Sequence, residues 1–386
     1  MLIIGVDPHK RTHTASALDP NANRVVSSVE VEASLGGYRR LLRWAAQFDD
    51  RRWAIENARG LGRHLAQWLI ARGEIVDDVP STATARVREL SRGGRRKNDV
   101  IDAAAAASVA AGQGEANPVP AEDVTTVMAL LDERRDNLVT HRTRLANQLH
   151  ALLRDLIPGG ASTGLTAKAA SALLARVRPA GAVETVRKAM AKDLVREIAD
   201  TDRRLKEITA QIATTVTASG SHLTDIDGVG PVIAGRLLGR TREAARFASP
   251  AAFASYAGVA PVEVASGGHG RHRLPRGGDR QLNLALHIAA LTQVRMKASI
   301  GRAYYDKKIA EGKSHNEAMR CLKRRLADRA WRVMISDERS QRVSPGGHPG
   351  ATLKSSAAGL TPTTSTSDKS LPGPTTIDST TPRTAA

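Results

Sequence analysis

Four carboxylates in the first third of the chain have the residue types and spacing of a metal site. Asp7 and Glu56 each follow a short apolar run, so both are expected at the ends of strands. Asp99 and Asp102 are three residues apart, which places them on one face of a helix. Carboxylate oxygens hold Mg²⁺, and two ions roughly 4 Å apart clamp the attacking and leaving oxygens of a phosphodiester. The four residues therefore predict a site with two Mg²⁺ ions for phosphodiester chemistry.

Two ordinary structural roles stay open for these carboxylates. Asp7 precedes Pro8 and fits a turn, and Asp99 fits the N-cap of the helix that follows it. These roles explain single members of the set more easily than all four together.

A basic segment stands directly before Asp99. Residues 86–97 contain six basic residues and one acid, and the run ends in Arg95, Arg96 and Lys97. A segment of this kind guides a negatively charged substrate toward the carboxylates. A solvated basic loop is the alternative.

A second candidate site lies at residues 223–238, which read as helix, Gly-Val-Gly turn, helix. Gly228 and Gly230 allow the backbone to approach a phosphate, and Pro231 fits the first turn of the second helix. The pattern is that of a helix-hairpin-helix element, which binds nucleic-acid backbone without reading sequence. An ordinary tight turn between two helices is the alternative.

A third candidate is a serine in a loop rich in glycine and arginine. Ser266 precedes two glycines, and a helix is expected to start near Gln281. A serine in this setting can attack phosphorus while neighbouring arginines neutralise the phosphate. The arginines are Arg271, Arg273, Arg276 and Arg280. Serine in a glycine-rich turn is more often a turn residue, so this pattern alone supports a nucleophile only weakly.

The carboxylates must be positioned by strands and helices that alternate along the chain. Apolar runs bounded by turn residues predict strands over residues 2–6, 12–18, 24–31, 52–56 and 74–79. Helical periodicity predicts helices over 34–47, 61–71 and 99–111. A strand meander followed by alternating helices and strands makes a mixed α/β sheet. The order Asp, Glu, Asp/Asp on these elements is that of the ribonuclease H-like fold.

Long helices are expected in the middle of the chain. Apolar residues recur every seven positions from Val124 to Leu152 and alternate four and three apart from Leu194 to Ile212. The two stretches predict a coiled-coil hairpin. Arg135 and Arg142 interrupt the seam, so pairing with another chain or with nucleic acid is open, as is an ordinary helical spacer.

The charge of the chain points to a polyanion partner. The 386 residues carry a formal net charge of +18, with a sequence pI near 10.7. Residues 268–333 contain 16 basic and 5 acidic residues, so most of this excess lies there. Aromatic residues make up only 3%, which disfavours a protein that stacks bases on aromatic side chains. No apolar run is long enough to span a membrane, so we expect no membrane partner and a cytoplasmic protein.

The single cysteine, Cys321, excludes an internal disulfide framework and a cysteine-clustered zinc site. From residue 336 onward the chain is rich in Thr, Ser, Pro and Gly, which predicts a disordered tail. The expected organisation is thus a metal-binding α/β domain at 1–115, a coiled-coil region at 116–222, a mostly helical basic domain at 223–335 and the tail at 336–386.

The motifs together resemble the DEDD transposases of the insertion-sequence 110 family. They occur in the family's order and lie at residues 4–7 with Lys10, at 54–56, at 97–103, at 226–231 and at 256–261 followed by Ser266. The resemblance implies a RuvC-like N-terminal domain, a coiled-coil insertion and a C-terminal transposase domain. By position, Asp7, Glu56, Asp99 and Asp102 match the metal-binding tetrad, and Ser266 matches a serine thought to attack DNA.

The resemblance also implies an enzyme that cuts and rejoins the DNA of its own mobile element, guided by an RNA from the element's ends. A nucleoid-associated bacterial protein that forms at least a dimer, or a tetramer, is expected. Asn98 departs from the family, which commonly has Thr there, and Pro8-His9 replaces commoner small residues. Two alternatives remain: a RuvC-like junction nuclease that uses metal-activated water, and a non-catalytic nucleic-acid scaffold.

Overall fold

The computed structural model describes residues 1–90, 98–112, 117–266, 269–273 and 277–343. For residues 262–266 and 269–273 the backbone alone is described. No helix within these ranges is long and apolar enough to cross a membrane.

The N-terminal part is built on a six-stranded mixed sheet. Its strands are β1 (Leu2–Pro8), β2 (Thr12–Asp19), β3 (Arg24–Glu32), β4 (Arg51–Glu56), β5 (Val76–Val79) and β6 (Asn117–Pro118). Their order across the sheet is β3-β2-β1-β4-β5-β6. The first three strands form an antiparallel meander, β4 and β5 run parallel to β1, and β6 is antiparallel to β5. This is the ribonuclease H-like arrangement that the sequence predicted.

Helices cover both faces of this sheet. They are α1 (Leu35–Ala45), α2 (Arg63–Ile70), α3 (Ser81–Leu90) and α4 (Asp99–Gly112), of which α3 was missed in the sequence. Ile4 and Val6 of β1 lie in a core shared with α1 and α2, whereas Ile3 lies in a second core shared with α4. Because β1 is buried on both sides, its sequence is a continuous apolar run.

Gly5 allows α4 to pack directly on β1. A Cβ atom at this position would lie 1.8 Å from the carbonyl oxygen of Ala103, a distance that no side chain tolerates. The Ala-rich face of α4 therefore rests on the backbone of the central strand, and the start of α4 is held near the end of β1.

Two long helices follow, α5 (Val124–Leu156) and α7 (Ala182–Ala218), with the short α6 (Ala167–Arg176) between them. Leu145 near the end of α5 packs with Ile198, whereas Met128 near its start packs with Val216, so the two helices are antiparallel. Arg142, which interrupts the apolar seam, donates from Nε to Asp202 of α7 at 2.5 Å. The helical hairpin is confirmed, and its description as a coiled coil stays a prediction.

The C-terminal part is mostly helical around one large core. Its elements are α8 (Pro231–Thr241), α9 (Pro250–Tyr256), β7 (Val262–Ser266), β8 (His269–Arg273), α10 (Arg280–Arg295), α11 (Ile300–Ala310) and α12 (His315–Val343). Strands β7 and β8 form a separate antiparallel hairpin. The expectation of a loop around Ser266 is therefore wrong, because Ser266 is the last residue of a strand that pairs with β8.

The start of the predicted tail also needs correction. Helix α12 continues to Val343, beyond the expected boundary at residue 336. The carboxylate of Asp337 accepts hydrogen bonds from the Ser221 hydroxyl and from the backbone N–H of His222, both at 3.0 Å. These distant partners keep the polar end of the helix ordered, although its composition is that of a tail.

Candidate active site

The first carboxylate, Asp7, lies near the end of β1. Its Cα pairs with that of Thr14 across the meander, and its side chain is buried. Val6 pairs with Ile55 in the parallel β1–β4 ladder, so Asp7 and Glu56 lie at the same edge of the sheet. Strand β1 thus carries Asp7 to the edge of the sheet at which the parallel strands end.

The second pair of carboxylates is held by the first turn of α4. The side chain of Asn98 accepts a hydrogen bond from the N–H of Val100 at 2.9 Å, and its carbonyl accepts one from the N–H of Asp102. Asn98 is therefore the N-capping residue, and the alternative in which Asp99 caps the helix is not needed. Asp99 is half-exposed and Asp102 is buried.

A histidine joins two of these carboxylates. The Nδ1 atom of His9 lies 3.8 Å from Oδ2 of Asp7 and 4.0 Å from Oδ2 of Asp99. The three side chains each offer one ligand atom, and these atoms all lie within 4.8 Å of one another. His9 was missed as a site residue. The sequence did contain a signal for His9, namely its position two residues after the strand-end Asp7. The turn before Thr12 bends the chain back there, which keeps His9 close to Asp7.

The electrostatics of Asp7 favour a bound cation. The pKa of the Asp7 carboxyl is raised to about 6: burial is the largest cause, the charges of Glu56, Asp102 and Asp99 also raise this pKa, and His9 lowers it. Several carboxylates close together destabilise one another's charged forms, and a divalent cation relieves that repulsion. Oxygen and imidazole donors also suit such an ion, so the residues present fit a divalent metal.

Asp102 is engaged differently. Its Oδ1 accepts a hydrogen bond from Nη1 of Arg88, at the end of α3, at 2.5 Å. This hydrogen bond and the Asp102 charge raise the pKa of the Arg88 guanidinium. The structure therefore brings Asp7 and Asp99 together around His9, while Asp102 is paired with Arg88, and Glu56 and Asp102 act on Asp7 through their charges.

Some of the residues predicted to bind phosphate lie on different elements of the C-terminal part, and others lie outside the described residues. Arg95, Arg96, Lys97 and Arg276 lie outside the described residues. Arg271 and Arg273 are on β8, and Arg280 is the exposed first residue of α10. Ser266 is the last residue of β7 and pairs with His269 across the end of the hairpin. Ser266 therefore belongs to a different sheet from the carboxylates.

The Gly-Val-Gly turn also differs from expectation. The element before it is a single 3₁₀ turn, His222–Asp225, and not a full helix. Gly228 has φ +78°, and a Cβ there would lie 2.7 Å from the carbonyl oxygen of Ala289, so internal packing accounts for this glycine. Gly230, at the N-cap of α8, has no atom within 4 Å of a Cβ built on it. The helix-hairpin-helix assignment stays a prediction.

Comparisons with known proteins agree with the order of these elements. A family model for DEDD transposases of the IS110 type, described as "Transposase", matches residues 4–158. A second model, described as "Transposase IS116/IS110/IS902 family", matches residues 220–306. The chain belongs to the IS110 family of transposases. It is therefore a DNA transposase or recombinase.

Relatives of this IS110-family chain are similar over most of their length. The "Insertion element IS116 uncharacterized 44.8 kDa protein" of Streptomyces clavuligerus is 28% identical in an alignment that covers 87% of this chain and 95% of the relative. The "Insertion element IS900 uncharacterized 42 kDa protein" of Mycobacterium paratuberculosis is 28% identical, covering 86% and 94%. Among solved structures, T. thermophilus RuvC in complex with a Holliday junction substrate is matched with 18% identity and a TM-score of 0.26, over 31% of this chain and 99% of that one.

Proposed function

We propose that this protein cuts and rejoins the DNA of its own insertion sequence, using a divalent metal held at the edge of the ribonuclease H-like sheet. The observation that carries the proposal is the cluster of Asp7, His9 and Asp99, whose ligand atoms lie within 4.8 Å of one another in a chain of the IS110 family. Glu56 and Asp102, the other members of the predicted tetrad, complete the acidic surroundings.

Mg²⁺ is the proposed ion, with two ions at the full tetrad. When bound, a divalent ion stabilises the negative charge that develops on the phosphate during strand transfer. The protein's own residues orient it: β1 fixes Asp7, the Asn98-capped turn of α4 fixes Asp99, and the turn after β1 fixes His9. Mn²⁺ accepts the same oxygen ligands and takes an imidazole nitrogen more readily than Mg²⁺ does, so it can replace Mg²⁺ in a spectroscopic test of the site.

Electron paramagnetic resonance of the Mn²⁺-loaded protein tests this metal site. Wild-type protein is expected to show ¹⁴N couplings from a coordinated imidazole, and His9→Ala is expected to lose them. His64→Ala is the matched control, since His64 is an exposed histidine on α2. If wild-type protein binds Mn²⁺ only weakly and Asp7→Ala binds it with the same affinity, the metal site is refuted.

Ser266 is the proposed nucleophile. Its hydroxyl loses a proton as its Oγ forms a bond to phosphorus, and the broken P–O bond leaves a DNA end with a hydroxyl group that takes up a proton. A second DNA hydroxyl then attacks the phosphoserine, restoring a phosphodiester and the free serine. The bond energy is kept for rejoining, so no nucleotide triphosphate is needed.

Trapping of covalent adducts tests the serine. Denaturing gels of wild-type protein with labelled element ends are expected to show a protein–DNA adduct, and Ser266→Ala is expected to lose the adduct while retaining DNA binding. Ser255→Ala, a serine on α9, is the matched control. An adduct formed by Ser266→Ala would assign the attack to another group.

Two partners are part of the proposal. The net charge of +18 and the family resemblance support an RNA from the element's own ends as guide. The carboxylates and Ser266 stand in different sheets, which supports a composite site made by at least two copies, in a dimer or a tetramer. Sequencing of the RNA that copurifies with the protein tests the guide. The mass of the protein assembly, measured by light scattering, tests the oligomeric state. Copurified RNA that does not map to the element ends would reject the guide.

A junction nuclease is the second candidate, because the cluster of Asp7, His9 and Asp99 does not involve Ser266. Such an enzyme would use water and form no adduct, so the adduct assay separates it from the transposase reaction. A scaffold without catalysis would bind nucleic acid without tetrad-dependent metal binding, and calorimetry on Asp7→Ala separates that case.

A further inference from the structure

A cavity of about 550 Å³ opens at the base of the hairpin that carries Ser266. Its lining includes Gly258, Gly278, Arg280, Asn283, His287 and Lys323. This volume lies within the range of roughly 300–1,000 Å³ that is typical of small-ligand clefts.

The base of the hairpin is closed by direct contacts beside the cavity. The backbone N–H of Asp279 donates to the carbonyl of Tyr256 at 2.7 Å, and the side-chain amide of Asn283 donates to the carbonyl of Gly258 at 2.6 Å. A Cβ on Gly278 would lie 2.8 Å from the backbone of Gly258. The chain segments that enter and leave the hairpin therefore touch, and the cavity wall is built on them.

Lys323 of α12 places a positive charge in this wall. Its Nζ donates to Oδ1 of Asn283 at 3.0 Å, an uncharged partner. Burial lowers the pKa of Lys323, and the charge of Arg320 lowers it further; within the described part of the chain no carboxylate opposes this shift. A half-buried ammonium of this kind is stabilised by an anion.

The other groups around the cavity are either cationic or already engaged. Arg280 is exposed at its rim, and burial lowers the pKa of His287, which keeps that imidazole neutral and able to donate a hydrogen bond. Asp279, the carboxylate among the described lining residues, accepts hydrogen bonds from the N–H groups of Gln281 and Leu282, and its Oδ2 lies 3.6 Å from Nη1 of Arg240. Its charge is thus directed to the helix start and to Arg240, and the cavity keeps a positive character.

We infer that this cavity binds a phosphate of the DNA backbone, with Lys323 as its central charge, Arg280 at its rim and His287 as a hydrogen-bond donor. The inference rests on the proposed function for the choice of DNA as ligand. Four residue steps along β7 separate the hairpin base from Ser266, a distance of about 14 Å at the rise of a strand. One DNA strand can therefore contact the cavity a few nucleotides from a phosphate that lies at Ser266.

Salt-dependent binding of a short fluorescein-labelled DNA duplex to the full chain, measured by anisotropy in EDTA, tests the inference. Lys323→Gln is expected to weaken binding roughly five- to tenfold and to reduce the slope of log K against log salt by about 0.9, the loss of one phosphate contact. Lys323→Arg is expected to retain the slope. Lys297→Gln, which removes the same charge from an exposed position after α10, is the matched control.

The control variants separate a phosphate site from a general effect of charge. Equal effects of Lys323→Gln and Lys297→Gln overturn the inference, because the charge would then act without a site. If Lys323→Gln does not fold, Arg280→Gln at the exposed rim provides the same comparison. Loss of affinity for single-stranded RNA alone assigns the phosphate to RNA and overturns the DNA assignment. Since EDTA removes metal, failure of the proposed metal site leaves this measurement unaffected.

Discussion

Arg88 and Asp102 form a hydrogen-bonded ion pair, with Nη1 of the arginine 2.5 Å from Oδ1 of the aspartate. The Asp102 side chain is almost fully buried, whereas that of Arg88 is partly exposed. Among the four predicted carboxylates, Asp102 is the one that pairs with a permanently charged side chain within the described residues. Because Arg88 already binds Oδ1 of Asp102, the guanidinium and a metal ion are expected to compete for this carboxylate.

Removal of Arg88 should expose this competition. Arg88→Ala leaves a buried carboxylate without a partner, so the metal-free protein is expected to lose stability, and Mn²⁺ is expected to bind roughly tenfold more tightly, equivalent to about 1.4 kcal/mol. Calorimetry and thermal unfolding with and without Mn²⁺ measure both effects. Arg86→Ala, which removes an exposed arginine of the same helix, is the control. Unchanged Mn²⁺ affinity in Arg88→Ala would show that Asp102 takes no part in metal binding.

The contact between Gly5 and α4 should control the position of Asp99. Gly5→Ala places a methyl group against the carbonyl of Ala103, so α4 must move away from β1. We expect a loss of about 1–3 kcal/mol in unfolding free energy and weaker Mn²⁺ binding. Denaturant unfolding and calorimetry measure the two effects. Gly36→Ala on α1 is the matched control, because the nearest atom to its Cβ would be 3.7 Å away. Full metal affinity in Gly5→Ala would mean that the site tolerates movement of α4.

A buried ionic network joins the long helix α5 to α8. Nε of Arg236 donates to both carboxylate oxygens of Asp132, at 3.0 and 2.8 Å, and its Nη2 donates to Asp136. Burial alone would lower the pKa of Arg236, but the hydrogen bonds and charges of the two aspartates raise it.

Breaking this network should destabilise the protein. Arg236→Leu is expected to lower the unfolding free energy by about 3–5 kcal/mol, and the double variant Arg236→Leu/Asp132→Leu should recover most of that loss. Arg240→Leu, which removes a half-exposed arginine 3.6 Å from Asp279, should cost less than about 1 kcal/mol. Chemical unfolding measures all three, and a double variant as unstable as the single one would argue against a charge effect.

The His222–Asp337 contact should make stability depend on pH. Nδ1 of His222 lies 2.8 Å from Oδ1 of Asp337, and this hydrogen bond, followed by the charge of Asp337, raises the pKa of the imidazole. The stabilisation is therefore complete below the unfolded pKa of about 6.5 and is lost as the pH rises through the higher folded pKa.

Thermal midpoints of wild type and His222→Gln, followed from about pH 6 to pH 9, measure this contribution. The difference between the two proteins is expected to shrink as the pH rises, and His141→Gln on α5 is the control. A constant difference across this range would exclude protonated His222 as its source.

Much of the N-terminal fold could be predicted because its signals are local. The strand ranges 2–6, 12–18 and 24–31 fall within β1, β2 and β3, since apolar runs between turn residues specify strands without reference to distant contacts. The helix over 99–111 agrees with α4 for the same reason. The placement of Asp7 at a strand end and of Asp99 and Asp102 in a first helical turn followed directly.

Features that depend on contacts between distant residues could not be predicted from local sequence patterns. Hairpin β7–β8 was expected as a loop because the segment is rich in glycine and arginine and β8 contains no apolar residue. Helix α12 was ended too early because Asp337 finds its partners more than 100 residues away. The coiled-coil seam was predicted from spacing, but the role of Arg142 in it depends on Asp202 of the facing helix.

The same division holds at the candidate site. Periodicity and turn chemistry are properties of neighbouring residues. For that reason the candidate carboxylates, and their places near the ends of strands and helices, could be predicted before any contact was known. The position of His9 between Asp7 and Asp99, and the ion pair of Arg88 with Asp102, became visible only in the folded chain. Those relationships depend on how closely α4 packs against β1. Gly5 permits this close approach because it has no side chain, an effect that appears only when α4 is in place.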